Sequence, residues 1–150
     1  MAEVVKILER GIRLIEENIK ELEAIPKDKI IETRIAPTAR GAMFTLRKAF
    51  YAVLGRLRKE KGVDRDLSIK EWKKTASYLI DYINKKGLTD IPMKIILQYE
   101  IDESQGKRIM RLSKAWLIYF EVEGIDKVDL TKIKEVKPVK VEEFEEKVEG

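Results

Sequence analysis

The sequence predicts an α+β single domain: three N-terminal helices packed on a three- or four-stranded antiparallel sheet, followed by a short C-terminal helix. Three observations carry that prediction. Apolar residues recur at helical spacing in three consecutive segments that end at Gly87. After Pro92 the apolar period falls from about 3.6 to about 2, the mark of half-buried strands. A chain of 150 residues with 44% hydrophobic content is large enough for one core. Within that domain, residues 1–24 read as an oligomerisation-type helix, 34–136 as the core and 139–150 as an acidic amphipathic tail.

In the first helix, residues 2–24, Val5, Leu8, Ile12, Ile15, Ile19 and Leu22 alternate three and four apart over about three heptads. Ile7 and Leu14 lie off this seam as a second apolar strip. Such a helix either faces its own core or meets another subunit. The second use predicts a dimer or higher oligomer. Six acids against four bases make it a poor surface for nucleic acid. Pro26 ends it.

Residues Ile30 to Ala36 read as a connector, with Pro37 in the first turn of a second helix that Gly62 closes. From Arg34 to Lys61 the chain carries eight basic residues and one acid. Met43, Leu46, Phe50, Val53 and Leu57 form a core stripe. A second stripe, Arg40, Phe44, Arg47, Tyr51, Leu54 and Arg58, lies roughly a quarter-turn away at about 100° per residue. It alternates guanidinium groups with aromatic rings, with Lys48 beside it. That pattern suits a phosphate backbone and unpaired bases. A solvated face of a long helix has the same charge. The small residues Gly41, Thr45, Ala52 and Gly55 leave room for a helix or a phosphate backbone to approach.

For the third helix, Ser68 and Glu71 read as a capping box, Leu67 as a staple onto Trp72, and Gly87 as a left-handed C-cap. Trp72, Ala76, Leu79 and Ile83 make its core face, with Lys74, Tyr78, Tyr82 and Lys85 adjacent. Ile95, Leu97, Tyr99 and Ile101 then alternate along a strand, and Ser104–Lys107 supplies a hairpin turn. The run Arg108–Glu123 is too long for one flat strand and is expected to bend near Ser113–Ala115 or to break in two. Drawn as extended, it puts Arg108, Met110, Leu112, Lys114 and Trp116 on one face; its first part also holds Lys107 and Arg111, with no acid before Trp116. Val128–Val136 reads as an edge strand with alternating Lys, and Val141, Phe144 and Val148 recur at helical spacing in the acidic tail.

Histidine and cysteine are both absent. Ser-His-Asp, Cys-His and conventional zinc chemistry are thereby excluded, and disulfides with them. Glu100, Asp102 and Glu103 near Lys107 resemble a metal-dependent nuclease cluster, yet any solvated hairpin tip looks the same. No enzyme activity, cofactor or metal is expected. No apolar run reaches membrane length, so no membrane partner is expected and the cytoplasm is the expected location. Abundant Lys and Glu with only two Asn and two Gln follow the trend of heat-adapted proteins.

Three segments thus interleave cations with rings. The expected function is sequence-tolerant binding of single-stranded nucleic acid, DNA or RNA. Arg40, Arg47, Lys48, Arg58, Lys74, Arg108, Arg111 and Lys114 are the expected phosphate ligands, and Phe44, Tyr51, Tyr78 and Trp116 the stacking rings. The alternative is a structural or adaptor protein that oligomerises through its helices and meets an acidic protein partner. A long apolar helix, a basic helix and a capped helix precede a small antiparallel sheet and an amphipathic tail. With the basic-aromatic segments around Arg40–Arg58 and Arg108–Trp116, this order resembles the ThermoDBP-like single-stranded nucleic-acid-binding proteins of archaea. The resemblance implies a fold other than the OB barrel, unpaired strands bound in a cleft between helices and sheet, and oligomerisation through apolar helices. It carries over no role for any individual residue.

Overall fold

The structure, a computed structural model, describes residues 2–120, 124–132 and 141, with residues 2–8 and 132 described by backbone alone. Helix α1 runs over Ala2–Ala24. Between Ile12 and Ile19 its apolar seam is left in solvent: Ile12, Ile15 and Ile19 are about half exposed or more, and so is Leu14 of the second strip. An ion pair of 2.7 Å between Glu21 and Lys114 fastens its C-terminal half to the body.

The segment expected to be a mere connector contributes a strand. After a 3-10 turn at Lys27–Lys29, Ile30–Glu32 forms β1, which pairs antiparallel with β2 (Met93–Ser104), Ile31 opposite Leu97. Thr33 and Ala36 prolong the edge by backbone hydrogen bonds to Ile95 and Met93. Three residues are too few for a period of two to register, but two adjacent β-branched isoleucines favour extended backbone, and a following proline keeps Ala36 extended.

Helix α2 spans Ala39–Lys61. Thr38 is its N-cap, accepting the Gly41 N–H at 3.1 Å, so Pro37 stands before the cap instead of in the first turn. Gly62 closes it at φ 66°, where a Cβ would be strained. Leu54, assigned from spacing to the basic stripe, is buried and belongs to the core.

Helix α3 spans Arg65–Lys85 and begins one turn earlier than the capping-box pattern indicates. Asp64 is the cap, its Oδ1 accepting the Leu67 N–H at 2.9 Å. Ser68 is therefore inside the first turn, and the box and staple built on it fall away. Its hydroxyl is fully buried, donates to the Asp64 carbonyl at 2.6 Å and accepts the Met110 N–H at 3.1 Å. The C-terminus follows expectation. Leu88 N–H donates to Ile83 O and Gly87 N–H to Asn84 O, with Gly87 at φ 68°, which is a Schellman motif.

Strands β2 and β3 (Lys107–Tyr119) form a hairpin closed at Gln105 and Gly106, both at positive φ as a two-residue type I′ turn requires. The expected bend of β3 is a bulge: Gln98 pairs with Lys114 and Tyr99 with Leu112, leaving Ser113 as the extra residue. The bulge undoes the predicted shared face. Leu112 and Ala115 turn to the core, while Lys114 and Trp116 take the opposite side with Ile96 and Ile118.

The sheet has the order β1-β2-β3. Helix α2 lies over β1 and β2, and α3 over β3. Between these layers sit Leu46, Phe50, Trp72, Met93, Ile95, Leu97, Tyr99 and Met110. Phe50 stacks on Trp72 with ring centres 5.1 Å apart. The Tyr99 hydroxyl finds the Asp28 carbonyl at 2.6 Å. No fourth strand appears among the described residues: Val128 and Asp129 are irregular, Leu130–Lys132 is a 3-10 turn, and residues 133–136 of the predicted edge strand lie outside them. The predicted C-terminal helix also lies outside the described residues, apart from Val141. Among the described residues no helix is long and apolar enough to cross a membrane.

Candidate nucleic-acid interface

Because α2 buries Leu46, Phe50, Leu54 and Leu57 against sheet and α3, its opposite face looks outward. That face presents Arg40, Phe44, Arg47, Lys48, Arg58 and Lys59, all exposed, with Tyr51 half-buried at its edge. From Arg40 to Lys61 it runs about 30 Å at about 1.5 Å per residue. Phe44 is 57% exposed, and the Lys48 ammonium lies 4.5 Å from its ring centre. Arg47 sits 5.8 Å from the Tyr51 ring, which meets Phe50 edge-on. Gly55 has open space where a Cβ would stand, and Ala52 is exposed beside it, making a shallow notch. Gly41 is closed off by Ala36 and Thr38 at 3.4 Å.

At the C-terminal end of α2 this face adjoins a concave basic pocket of about 610 Å3. Arg58, Lys61, Arg65, Lys107 and Arg108 line it, together with Asp64. Arg108 donates to the Lys61 carbonyl at 3.0 Å, and Lys107 stands 3.5 Å from Asp64 Oδ2. The Leu67 N–H, and after it Lys107, hold the Asp64 carboxyl below its ordinary value of 3.8. A depressed carboxyl stabilises the fold above its unfolded value and stops doing so as pH falls through the folded one. Asp64→Ala is accordingly expected to lower the melting temperature at neutral pH. The gap from wild type should close below pH 3.8, read by circular dichroism across a pH series.

The remaining predicted residues gather elsewhere. Lys74 and Tyr78 on α3, and Lys114 and Trp116 on β3, line a groove of about 1110 Å3 whose third wall is α1 through Ile15, Ile19 and Leu22. It is mainly apolar; Tyr82, Leu112, Leu117 and Tyr119 belong to it. No α2 residue enters it, so the basic-aromatic residues are divided between two surfaces. Lys114 is paired with Glu21, and Arg111 is held by Asp102 at 2.9 Å and Glu71 at 3.4 Å. Both cations are largely engaged. Of the acids near the hairpin tip, Asp102 is engaged by Arg111 and by the Glu103 N–H. Among the described residues no group of three or more acids is placed to hold a metal ion.

Sequence reasoning left Lys59, Lys61, Arg65 and Lys107 out of the candidate site. The density of the first three within 58–65 was visible, but only the fold shows that the hairpin tip, with Lys107, returns to it. No protein family, curated protein or solved structure matches the chain.

Proposed function

We propose that the chain binds single-stranded nucleic acid without base specificity, along the outward face of α2. One observation carries the reading: Arg47, Lys48, Arg58 and Lys59 form no ion pair among the described residues, whereas four of the five cations on β2 and β3 (Lys94, Lys107, Arg111 and Lys114) have carboxylate partners. A charged face evolved for heat tolerance alone pairs its cations into networks. An unpaired row that also exposes Phe44 suits a polyanion with ring faces to offer. No Asn or Gln, the usual readers of adenine, lies on α2, which supports tolerance of sequence.

The test is a titration with single- and double-stranded forms of one oligonucleotide at two salt concentrations. Preference for the single strand, with log affinity falling by about 0.7 per phosphate contact for each tenfold rise in salt, is the expected result. Equal affinity for both forms would remove the stacking role of Phe44. No binding near physiological salt would favour the adaptor reading, in which the same cations meet an acidic protein.

The apolar groove supports a second copy as partner. The α1 seam is its own complement when reversed: an antiparallel second helix sets Ile12 opposite Ile15, Leu8 opposite Ile19 and Val5 opposite Leu22. Net charge is +1 over residues 2–13 and −3 over 14–24, so the antiparallel arrangement also matches opposite charges. The second α1 would cover Ile15 and Ile19, both exposed on the groove wall. Light scattering should give a dimer that Ile12→Asp with Ile15→Asp converts to monomer. A wild-type monomer at high concentration would end the idea.

A further inference from the structure

The basic pocket beyond α2 concentrates more positive charge than a passing phosphodiester calls for. Arg58 and Lys61 come from the last turn of α2, Arg65 from the first turn of α3, and Lys107 and Arg108 from the start of β3. Three backbone devices bring them together. Gly62 reverses the chain at positive φ, Val63 bridges in parallel to Arg108, and the Asp64 N–H donates to the Arg108 carbonyl at 2.7 Å.

The nearby carboxylates are occupied. Asp64 caps α3 with one oxygen and meets Lys107 with the other, and Asp66 meets Arg65 at 3.6 Å. Five cations against two carboxylates leave an excess of three. Crowding like charges costs free energy unless an anion joins them. The N-terminal end of α3, with its positive dipole end, adds to the field at the same place. Gly62 and Gly106 both line the pocket with open space where a Cβ would stand, so an anion can come close to the backbone.

An internal phosphodiester brings a single negative charge. A terminal phosphate monoester brings about 1.5 to 2 at neutral pH, with three strong acceptor oxygens. We infer that this pocket takes the terminal phosphate of a nucleic-acid strand whose body lies along α2, an inference that rests on the single-strand reading above. The protein would then bind strand ends in one orientation, with the terminus at Arg65 and Lys107 and the bases running back toward Phe44.

The experiment is an anisotropy titration of the full chain with one oligothymidylate in three forms: 5′-phosphorylated, 3′-phosphorylated and hydroxyl-ended. One phosphorylated form should bind on the order of tenfold tighter than the hydroxyl-ended strand. That advantage should shrink below about pH 6, where the monoester loses its second charge. Arg65→Ala with Lys107→Ala should abolish the difference between the three forms. Arg65→Ala alone, which keeps the Asp64–Lys107 pair, should reduce it in part with an unaltered melting curve.

Equal affinity for all three forms, with binding intact, would overturn the terminal-phosphate assignment alone. So would variants that weaken all three forms alike, since the pocket would then hold internal phosphates. Inorganic phosphate competing as strongly as the phosphorylated strand would mark a free-anion site and overturn it too. Failure of every form to bind would sink the α2 reading, and the assignment with it.

Discussion

Arg47→Glu with Arg58→Glu is expected to cut single-strand affinity by about two to four orders of magnitude, from the loss of two charge-assisted contacts of roughly 1.5–3 kcal/mol each. Both side chains are exposed and unpaired among the described residues, so the fold should melt as before. The loss should be alike for every base sequence. The dependence of log affinity on log salt should flatten by at least about 1.4, two contacts at about 0.7 each. Phe44→Ala is the necessary contrast. It should lose about 1–3 kcal/mol if one base stacks there, with the salt slope unchanged. Unaltered binding by the double charge reversal would remove α2 as the interface, whatever else the chain binds.

Ser68→Ala is expected to destabilise the fold by about 1–3 kcal/mol, out of a total of about 5–15 for a domain of this kind. The hydroxyl is wholly buried and joins two elements: it donates to the Asp64 carbonyl and accepts the Met110 N–H of β3. Alanine keeps the helix but leaves that backbone amide buried with no acceptor, and the removed oxygen leaves too little space for a water. A lower urea midpoint with an unchanged slope would be the result, together with faster hydrogen exchange at Met110. An unchanged midpoint would mean that the strand relaxes to another partner.

Ser68 also shows where sequence reading falls short. Ser followed three residues later by Glu is a sound local pattern, yet Asp64 offers a cap one turn earlier and leads into the same apolar face. The buried Ser68 hydroxyl instead accepts the Met110 amide of β3, a contact that no local pattern contains. Long periodic segments were legible because their pattern repeats: α1, most of α2, α3 beyond its first turn, and the β2–β3 hairpin down to its turn residues. The three-residue β1 was not, because a strand that short is defined by its partner. The bulge at Ser113 was half legible. Chain length told of a bend, but the resulting change of side for Lys114 and Trp116 depends on pairing register. The same limit applied to the site. Charge density on α2 could be read directly, whereas the meeting of Arg65 with Lys107 belongs to tertiary structure.

The placement of β1 at one edge of the sheet has a consequence for the chain as it is made. Thr33 supplies a hydroxyl to the Ile95 N–H across 62 residues, so the N-terminal edge cannot assemble until both later helices and the start of β2 have left the ribosome. The β2–β3 hairpin, closed by a two-residue turn, is local and quick, but it emerges only after α1, β1, α2 and α3. During that interval α1 is already synthesised with its apolar stripe uncovered and with no body to fold against. Should two copies pair through α1 as proposed above, that pairing could begin between neighbouring nascent chains on one messenger, before either has folded.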